Sequence, residues 1–431
     1  MGDENVQNVG IIVNQLIEIC DREVIVYLEM TILELCFWLC VVCIAYTYAL
    51  YPLFIALVAA LSRHSVHIKG RFAGSVSIVI PAYNEESYIV HRIHEFTRIL
   101  VETGLDGEII VISDGSTDRT AELIKEHANE YVRVLVLPKN VGKAEALTRG
   151  VEKARGDVIV FADARQHWAR DALEQLLQNF TDPAVGGASG DLIIESGPGM
   201  LSGVGRYWQY EKWIRRNEST YNSSIGVTGA ISAVRRELFP KIPSGTVLDD
   251  VYWPMRVVLR GYRVVHDEHS LAYDRLPEKI SDEFMRKLRT LAGNFQLMMS
   301  LPSLLLPWRN PVWFQFISHK VMRLAVPWAL LALLVISTQL TQPIYHLALT
   351  AQLVFYFLGL IGIVNSGRYP MGLASVAGSF IVLNAAAFLA FWAWVSDFTH
   401  WHKVPYHHKT EAARTILIII DGEPDFEAIR E

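Results

Sequence analysis

Uncharged stretches bracket a charged middle, and that arrangement constrains this chain more than any other feature. Residues 36–61 contain no Asp, Glu, Lys or Arg, and neither do residues 324–367 or 369–396. An α-helix needs about 20 apolar residues to cross the hydrocarbon of a bilayer. The first stretch therefore predicts one span with room to tilt. Thr341-Gln342-Pro343 punctuates the second near its middle, as a loop between two spans would. With the third stretch, about three spans are expected over 319–398. Ahead of them, residues 300–317 are apolar and aromatic but broken by Pro302, Pro307 and Pro311. That predicts a segment lying in the membrane interface.

Glu29 and Glu34 precede the first stretch, and Arg63, Lys69 and Arg71 follow it. Basic flanks favour the cytoplasm. The chain after residue 62 is thus expected in the cytoplasm, and the protein in the cell membrane as a multi-pass protein. The first run starts too late, is too long and lacks the basic leader of a cleavable signal. Residues 1–35 form an N-terminal segment and 399–431 a tail. Lys403, Lys409 and Arg414 favour a cytoplasmic tail, whereas three spans after a cytoplasmic domain would put it outside. A re-entrant last run or one more span would reconcile the two.

Charged residues are only 19% of the 431, against about 25% in soluble domains. A net charge of -6 offers no basic field to neutralise phosphates, which excludes a nucleic-acid binder. Cys36, Cys40 and Cys43 share one helix face inside the first run and read as a packing seam.

Residues 72–300 alternate short β-branched runs with amphipathic stretches. Strands are predicted at 76–80, 108–113, 132–137 and 157–162, and helices at 87–101, 117–129 and 141–154. The middle helix would be capped by Ser116 or Thr117. Ile89, Ile93, Phe96 and Leu100 fall on one side of the first helix. Such alternation predicts βαβ units and a mainly parallel, Rossmann-like α/β sheet. Ligands bind outside the carboxyl ends of such strands. There the chain places Tyr83-Asn84-Glu85, Asp114-Gly115-Ser116 and Asp163-Ala164-Arg165.

IVIPAYNEE ending at Glu86, SDGSTDRT (113–120), NVGKAEAL (140–147) and FADARQ (161–166) occur in order. VTGAISAVRR (227–236), VLDDVYWPMRVVLRGYRV (247–264) and RKLRTLAGN (286–294) follow. As a set they resemble the inverting family 2 glycosyltransferases of the GT-A fold. The flanking spans look like the membrane-embedded members: the cellulose, chitin, hyaluronan and poly-N-acetylglucosamine synthases. The resemblance implies a GT-A domain in the cytoplasm plus transmembrane helices.

It also implies roles. Tyr83 and Glu85 would flank the nucleoside, and Asp114 would accept a hydrogen bond from a uracil ring, as carboxylates do from N–H groups. Lys143 would meet the base or a phosphate. Asp163 corresponds to the first acid of the family's DxD motif and would hold Mg²⁺ or Mn²⁺. The next acid position is Arg165, which cannot ligate a hard cation. Either the metal binds through Asp163, the diphosphate and water, which is the expectation, or Arg165 supplies the positive charge itself. Asp249-Asp250 corresponds to the family's Glu-Asp pair. Asp250 is expected to be the general base, and Asp249 to raise its pKa by like-charge proximity. Arg286 and Arg289 stand where the family carries Gln-x-x-Arg-Trp, with Thr290 in place of the Trp. Thr228 and Gly229 correspond to the acceptor-side loop.

The expected function is inverting sugar transfer, from a nucleotide sugar of the UDP class to a growing polysaccharide at the bilayer, with export through its own spans. Thr290 favours an alternative, single addition to a lipid-linked acceptor. A non-catalytic sugar-nucleotide binder is a third reading, but it would have no use for Asp250. His266, Asp267 and His269 look like a metal cluster yet correspond to no ligands in the family, so no metal is expected there.

Overall fold

The structure is a computed structural model and describes residues 28–195, 201–275, 280–365 and 372–396. The N-terminal segment through residue 27 and the tail expected at 399–431 lie outside the described residues.

Eight strands form one sheet: β1 (Val76–Ala82), β2 (Gly107–Asp114), β3 (Val132–Leu137), β4 (Val158–Ala162), β5 (His167–Trp168), β6 (Val185–Glu195), β7 (Ile231–Arg235) and β8 (Arg263–Arg275). Their order is β3-β2-β1-β4-β7-β6-β8-β5. The first four pair in parallel, as their β-branched runs predict. β7 is antiparallel to both β4 and β6, so the second half of the sheet is mixed.

The helices are α1 (Leu28–Leu61), α2 (Ile89–Thr103), α3 (Thr120–Glu126), α4 (Lys143–Lys153), α5 (Ala172–Gln178), α6 (Leu201–Tyr221), α7 (Asp249–Val258) and α8 (Ile280–Ser300). After them come α9 (Trp313–Ser337), α10 (Pro343–Val364) and α11 (Gly372–Ser396). Side chains alternate across a strand, which splits the core in two. Ile78, Ile80, Ile109 and Val160 pack under Ile93 and Phe96 of α2 and Leu173 of α5. Val79, Ile110, Ile112 and Phe161 pack against Leu147 of α4 and Trp253 of α7. Both faces are covered, as a parallel sheet requires.

The helix expected at 117–129 is shorter. Ser116 and Thr117 do not cap it, because both are spent on Asn84 across the loop. Asp118 instead accepts from the Thr120 N–H at 2.9 Å, and its own carboxyl is held low by such bonds even though burial opposes this.

Four helices among the described residues are long and apolar enough to cross a membrane: α1, α9, α10 and α11. Leu53, Leu57, Leu347 and Phe357 point outward from them. α1 begins at Leu28, earlier than the uncharged run. Residues 313–317 of the predicted interface stretch open α9, while Pro302–Leu305 form a single tight turn. α8 lays Phe284, Leu288 and Ala292 against Ala386 and Ala390 of α11.

A buried polar junction ties α6 to α1 and α9. His319 sits between two carboxylates, with Nδ1 2.8 Å from Glu218 Oε1 and Nε2 3.1 Å from Glu211 Oε2. Arg323 donates to Glu211 and to the Tyr207 hydroxyl. Tyr51 donates to Glu218 at 2.5 Å. Burial alone would raise the Glu211 carboxyl. The adjacent Arg323 and His319 outweigh it and hold that carboxyl well below the usual range. Each of α1 and α9 carries a π-turn, Tyr46–Leu50 and Ile317–Val321. The two touch through Tyr46 and Ser318, 2.6 Å apart.

Candidate active site

The loops after β1 and β2 lock together at the carboxyl edge of the sheet. Asn84 adopts φ 55°, uncommon for a residue with a side chain. Its Oδ1 accepts from the Thr117 N–H at 2.8 Å, and the Glu85 N–H donates to Thr120 Oγ1 at 2.8 Å. Gly115 has φ 65°, and a Cβ there would lie 2.2 Å from the Asn140 nitrogen, so the turn admits only glycine. Asp114 is buried. Its two oxygens accept from the Val141 and Gly142 N–H groups at 2.8 and 2.9 Å. Burial pushes its carboxyl up; those two bonds oppose the shift. Asp114 thus braces the loop that presents Lys143. Tyr83 is half-buried at the same edge.

Lys143 opens α4 and reaches Asp163 Oδ1 at the end of β4, 2.6 Å away. Gly229 closes over the pair: a Cβ on it would meet Lys143 Nζ at 2.9 Å and Asp163 Oδ2 at 3.6 Å. Thr228 is fixed beside it, its N–H donating to Ser189 Oγ at 3.0 Å. Arg165 points outward, and its Nε lies 3.8 Å from Glu85 Oε1. Burial lifts the Glu85 carboxyl, with Arg165 opposing and Asp163 adding to the rise.

The two adjacent acids differ. Asp249 is buried at the first turn of α7, and its carboxyl is pushed up to about 6. Burial is the main cause; Lys143 opposes it, and Asp250 and Asp163 reinforce it. Asp250 is half-buried, and its carbonyl accepts from the Val227 N–H at 2.9 Å. Of the two residues, Asp250 is the less buried.

α8 supports this acid pair from behind. Gln296 accepts from the Val247 N–H at 2.9 Å and donates to the Gly245 carbonyl. A Cβ on Gly293 would meet Leu248 at 2.8 Å, so helix and loop are in close contact. Arg289 lies one turn before Gly293 and is exposed. Arg286 sits over the Trp208 ring at 5.4 Å, as a cation–π partner. Among the predicted residues, Lys143, Asp163, Gly229 and Asp249 thus converge, and Glu85 and Arg165 adjoin them. Asp114 stands behind the loop, and Arg286 and Arg289 are on a separate helix.

Three positioning residues escape a motif reading. Arg92 Nη1 pairs with Glu95 Oε2 at 2.7 Å, both buried in α2, and its Nε donates to the Ala164 carbonyl at 3.3 Å. Glu95 accepts from the Trp168 N–H at 3.0 Å, while the Trp168 indole donates to the Ala230 carbonyl at 3.0 Å. These residues fasten the loops of Asp163 and Gly229. The signal was an Arg at 92, on the apolar stripe of α2.

No cluster of three metal-ligating side chains occurs among the described residues. In particular, Asp267 is spent on Asn179 and on the His269 N–H. Lys143 takes one oxygen of Asp163. The remaining oxygen fits a divalent cation only if other ligands come from the diphosphate and water.

Residues 77–242 match the profile of glycosyl transferase family 2. The middle of this chain thus resembles a family 2 glycosyltransferase domain. Its sheet and helices have the GT-A fold. A mannosyltransferase from Pyrobaculum calidifontis, solved with GDP-Man and Mn²⁺, superposes with a TM-score of 0.62. The match covers 83% of this chain and 99% of that one at 20% identity, which speaks to fold alone. The poly-beta-1,6-N-acetyl-D-glucosamine synthase of Staphylococcus aureus (strain COL) is 25% identical over 233 residues, 52% of this chain and 55% of that protein. Its counterpart from Staphylococcus epidermidis is 23% identical over 231 residues, again 55% of that protein. The chain thus spans about half the length of these curated relatives. All the converging residues except Asp249 lie inside the matched family 2 segment.

Proposed function

We propose that the protein is a membrane-embedded inverting glycosyltransferase that moves a sugar from a nucleotide sugar, of the UDP class, onto a growing polysaccharide. One observation carries this reading. Lys143, Asp163, Gly229 and the Asp249-Asp250 pair gather at the carboxyl edge of a GT-A sheet, where open α/β sheets bind ligands.

In this reading the acceptor hydroxyl attacks the anomeric carbon from the face opposite the diphosphate. Asp250 takes its proton as the new C–O bond forms and the bond to the diphosphate breaks, which inverts the centre. Asp249, buried beside it, is a positioning residue that couples Asp250 to Lys143. Tyr83 and Glu85 flank the nucleoside, and Asp114 holds the loop beneath it. Arg165, Arg286 and Arg289 neutralise the departing diphosphate. Mg²⁺ or Mn²⁺, when bound, would supply further neutralising charge, with Asp163 as its protein ligand. Thr228 and Gly229 border the acceptor.

The relatives' names support a polymer product. Thr290, in the place of the family's Trp, supports single addition to a lipid-linked acceptor. Incubating the purified chain in detergent with radiolabelled UDP- and GDP-sugars tests the proposal, and product size on a gel separates polymer from single addition. Absence of transfer from every donor, with membrane lipid extract supplied as acceptor, would overturn it.

A further inference from the structure

A cavity whose lining shares no residue with the candidate active site lies elsewhere on the molecule. It has a volume of about 450 Å³ and opens where α1 ends and the chain turns onto the α/β domain. The acids described above sit at strand ends. This cavity sits at strand beginnings, beside Arg263, which pairs with Val185 at the start of β6.

Its walls have two characters. Ala56, Ala59 and Ala60 from the last turns of α1 form an apolar side. Arg63, Arg216 and Arg263 form a basic one, against the single carboxylate of Glu268. Glu268 pairs with Arg216. Arg263 spends its N–H groups on the carbonyls of Asn222 and His64, each at 2.8 Å, and of Ser219 at 3.1 Å. Carbonyls orient a guanidinium but do not cancel its charge. Arg63 is exposed at the rim. His266, also in the lining, is pushed down to about 3, first by burial and then by the charges of Arg215 and Lys212. It stays neutral, and the shift registers the positive field around it.

Arginine matches phosphate oxygens with paired N–H donors. An alanine wall has nothing to offer a free phosphate, but it suits the glycerol and acyl roots of a lipid. Leu57 and Leu61 continue the apolar surface on the outer side of the same helix. Basic pockets at the ends of spanning helices hold anionic headgroups by this chemistry. We propose that the cavity seats the phosphate headgroup of an anionic phospholipid, held by Arg63, Arg216 and Arg263 with its chains along α1. The proposal rests on α1 crossing the bilayer, but not on the transfer reaction.

The test is native mass spectrometry of the full chain in a mild non-ionic detergent, delipidated and then titrated with phosphatidylglycerol or phosphatidylcholine of matched chains. Phosphatidylglycerol should bind more tightly than phosphatidylcholine. Arg63→Gln and Arg216→Gln should each weaken the phosphatidylglycerol adduct roughly fivefold while leaving phosphatidylcholine unchanged. Both side chains are largely exposed, so the variants should elute and melt as wild type does. Equal retention of the two lipids, or variants that bind phosphatidylglycerol like wild type, would overturn the proposal. So would glycerol phosphate without chains binding as tightly as the lipid. Carbonate extraction of membranes tests the premise separately: release of the chain would sink both the span and the site, whereas a retained chain with no headgroup preference would sink the site alone.

Discussion

Lys143 and Asp163 meet at 2.6 Å across the mouth of the sheet, one opening a helix and the other ending a strand. The pair joins the start of α4 to the loop after β4. A Cβ on Gly229 would meet the lysine tip at 2.9 Å.

Gly229→Ala therefore tests the pair directly. The new methyl would push the lysine tip off Asp163 without touching the backbone core. A lost charge-assisted hydrogen bond costs about 1.5–3 kcal/mol, so kcat/KM should fall roughly ten- to hundredfold with the melting temperature little changed. Wild-type kinetics would show that the pair plays no part in turnover.

Asp250→Asn should abolish transfer while leaving nucleotide affinity within a few-fold. Loss of a general base costs about 10²–10⁴ in rate. Turnover above about a hundredth of wild type would remove Asp250 from that role.

The Asp249 carboxyl, raised to about 6, sets a pH dependence. Below that value it is protonated and the site loses a negative charge, so kcat/KM should climb as pH rises through about 6. Asp249→Asn should erase this limb. Stability should move the other way. A carboxyl raised above its ordinary value of about 3.9 contributes stability below that pH and loses it as pH rises through about 6. Melting curves across this range, compared with those of Asp249→Asn, check the sign.

Arg165 stands where a second acid would ligate a metal, and it leans towards Glu85 instead. Asp163→Ala should remove activity, whereas Arg165→Ala should only weaken use of the nucleotide sugar. Full activity in excess EDTA would show that the arginine replaces the metal. An Arg165→Ala variant with unchanged KM would show that the side chain faces away from the donor.

The basic residues after α1 predict that the α/β domain is cytoplasmic. A cysteine at exposed Lys125, in a background lacking Cys20, Cys36, Cys40 and Cys43, should react with an impermeant maleimide only after cells are broken. Labelling of intact cells would reverse the orientation.

Much of the fold could be read from period alone. β1, β2 and β4 are β-branched runs whose two faces are both buried, so hydrophobicity and strand coincide, while β3 at the sheet edge is partly exposed yet keeps the β-branched pattern. β6, with its VGGASGD start, carries no such signal, and its place was set by partners distant in sequence. At the site, family motifs named Asp163 and Gly229 but could not reveal that Lys143 ties them together. Arg92 and Glu95 escaped for another reason: a charged pair inside an apolar stripe is a signal that reads as a mere interruption until its partners, the Ala164 carbonyl and the Trp168 N–H, are known.

The junction of Glu211 and Glu218 with His319, Arg323 and Tyr51 bears on how the protein can be divided. A chain cut after residue 300 would keep both carboxylates and discard the imidazole and guanidinium that pair with them. Stripping one side from a buried charge pair costs about 3–5 kcal/mol, comparable to the whole stability margin of many domains. Excising the family 2 unit as a soluble fragment would thus need Glu211 and Glu218 replaced by apolar residues, and the fragment would have to be judged as a redesigned protein.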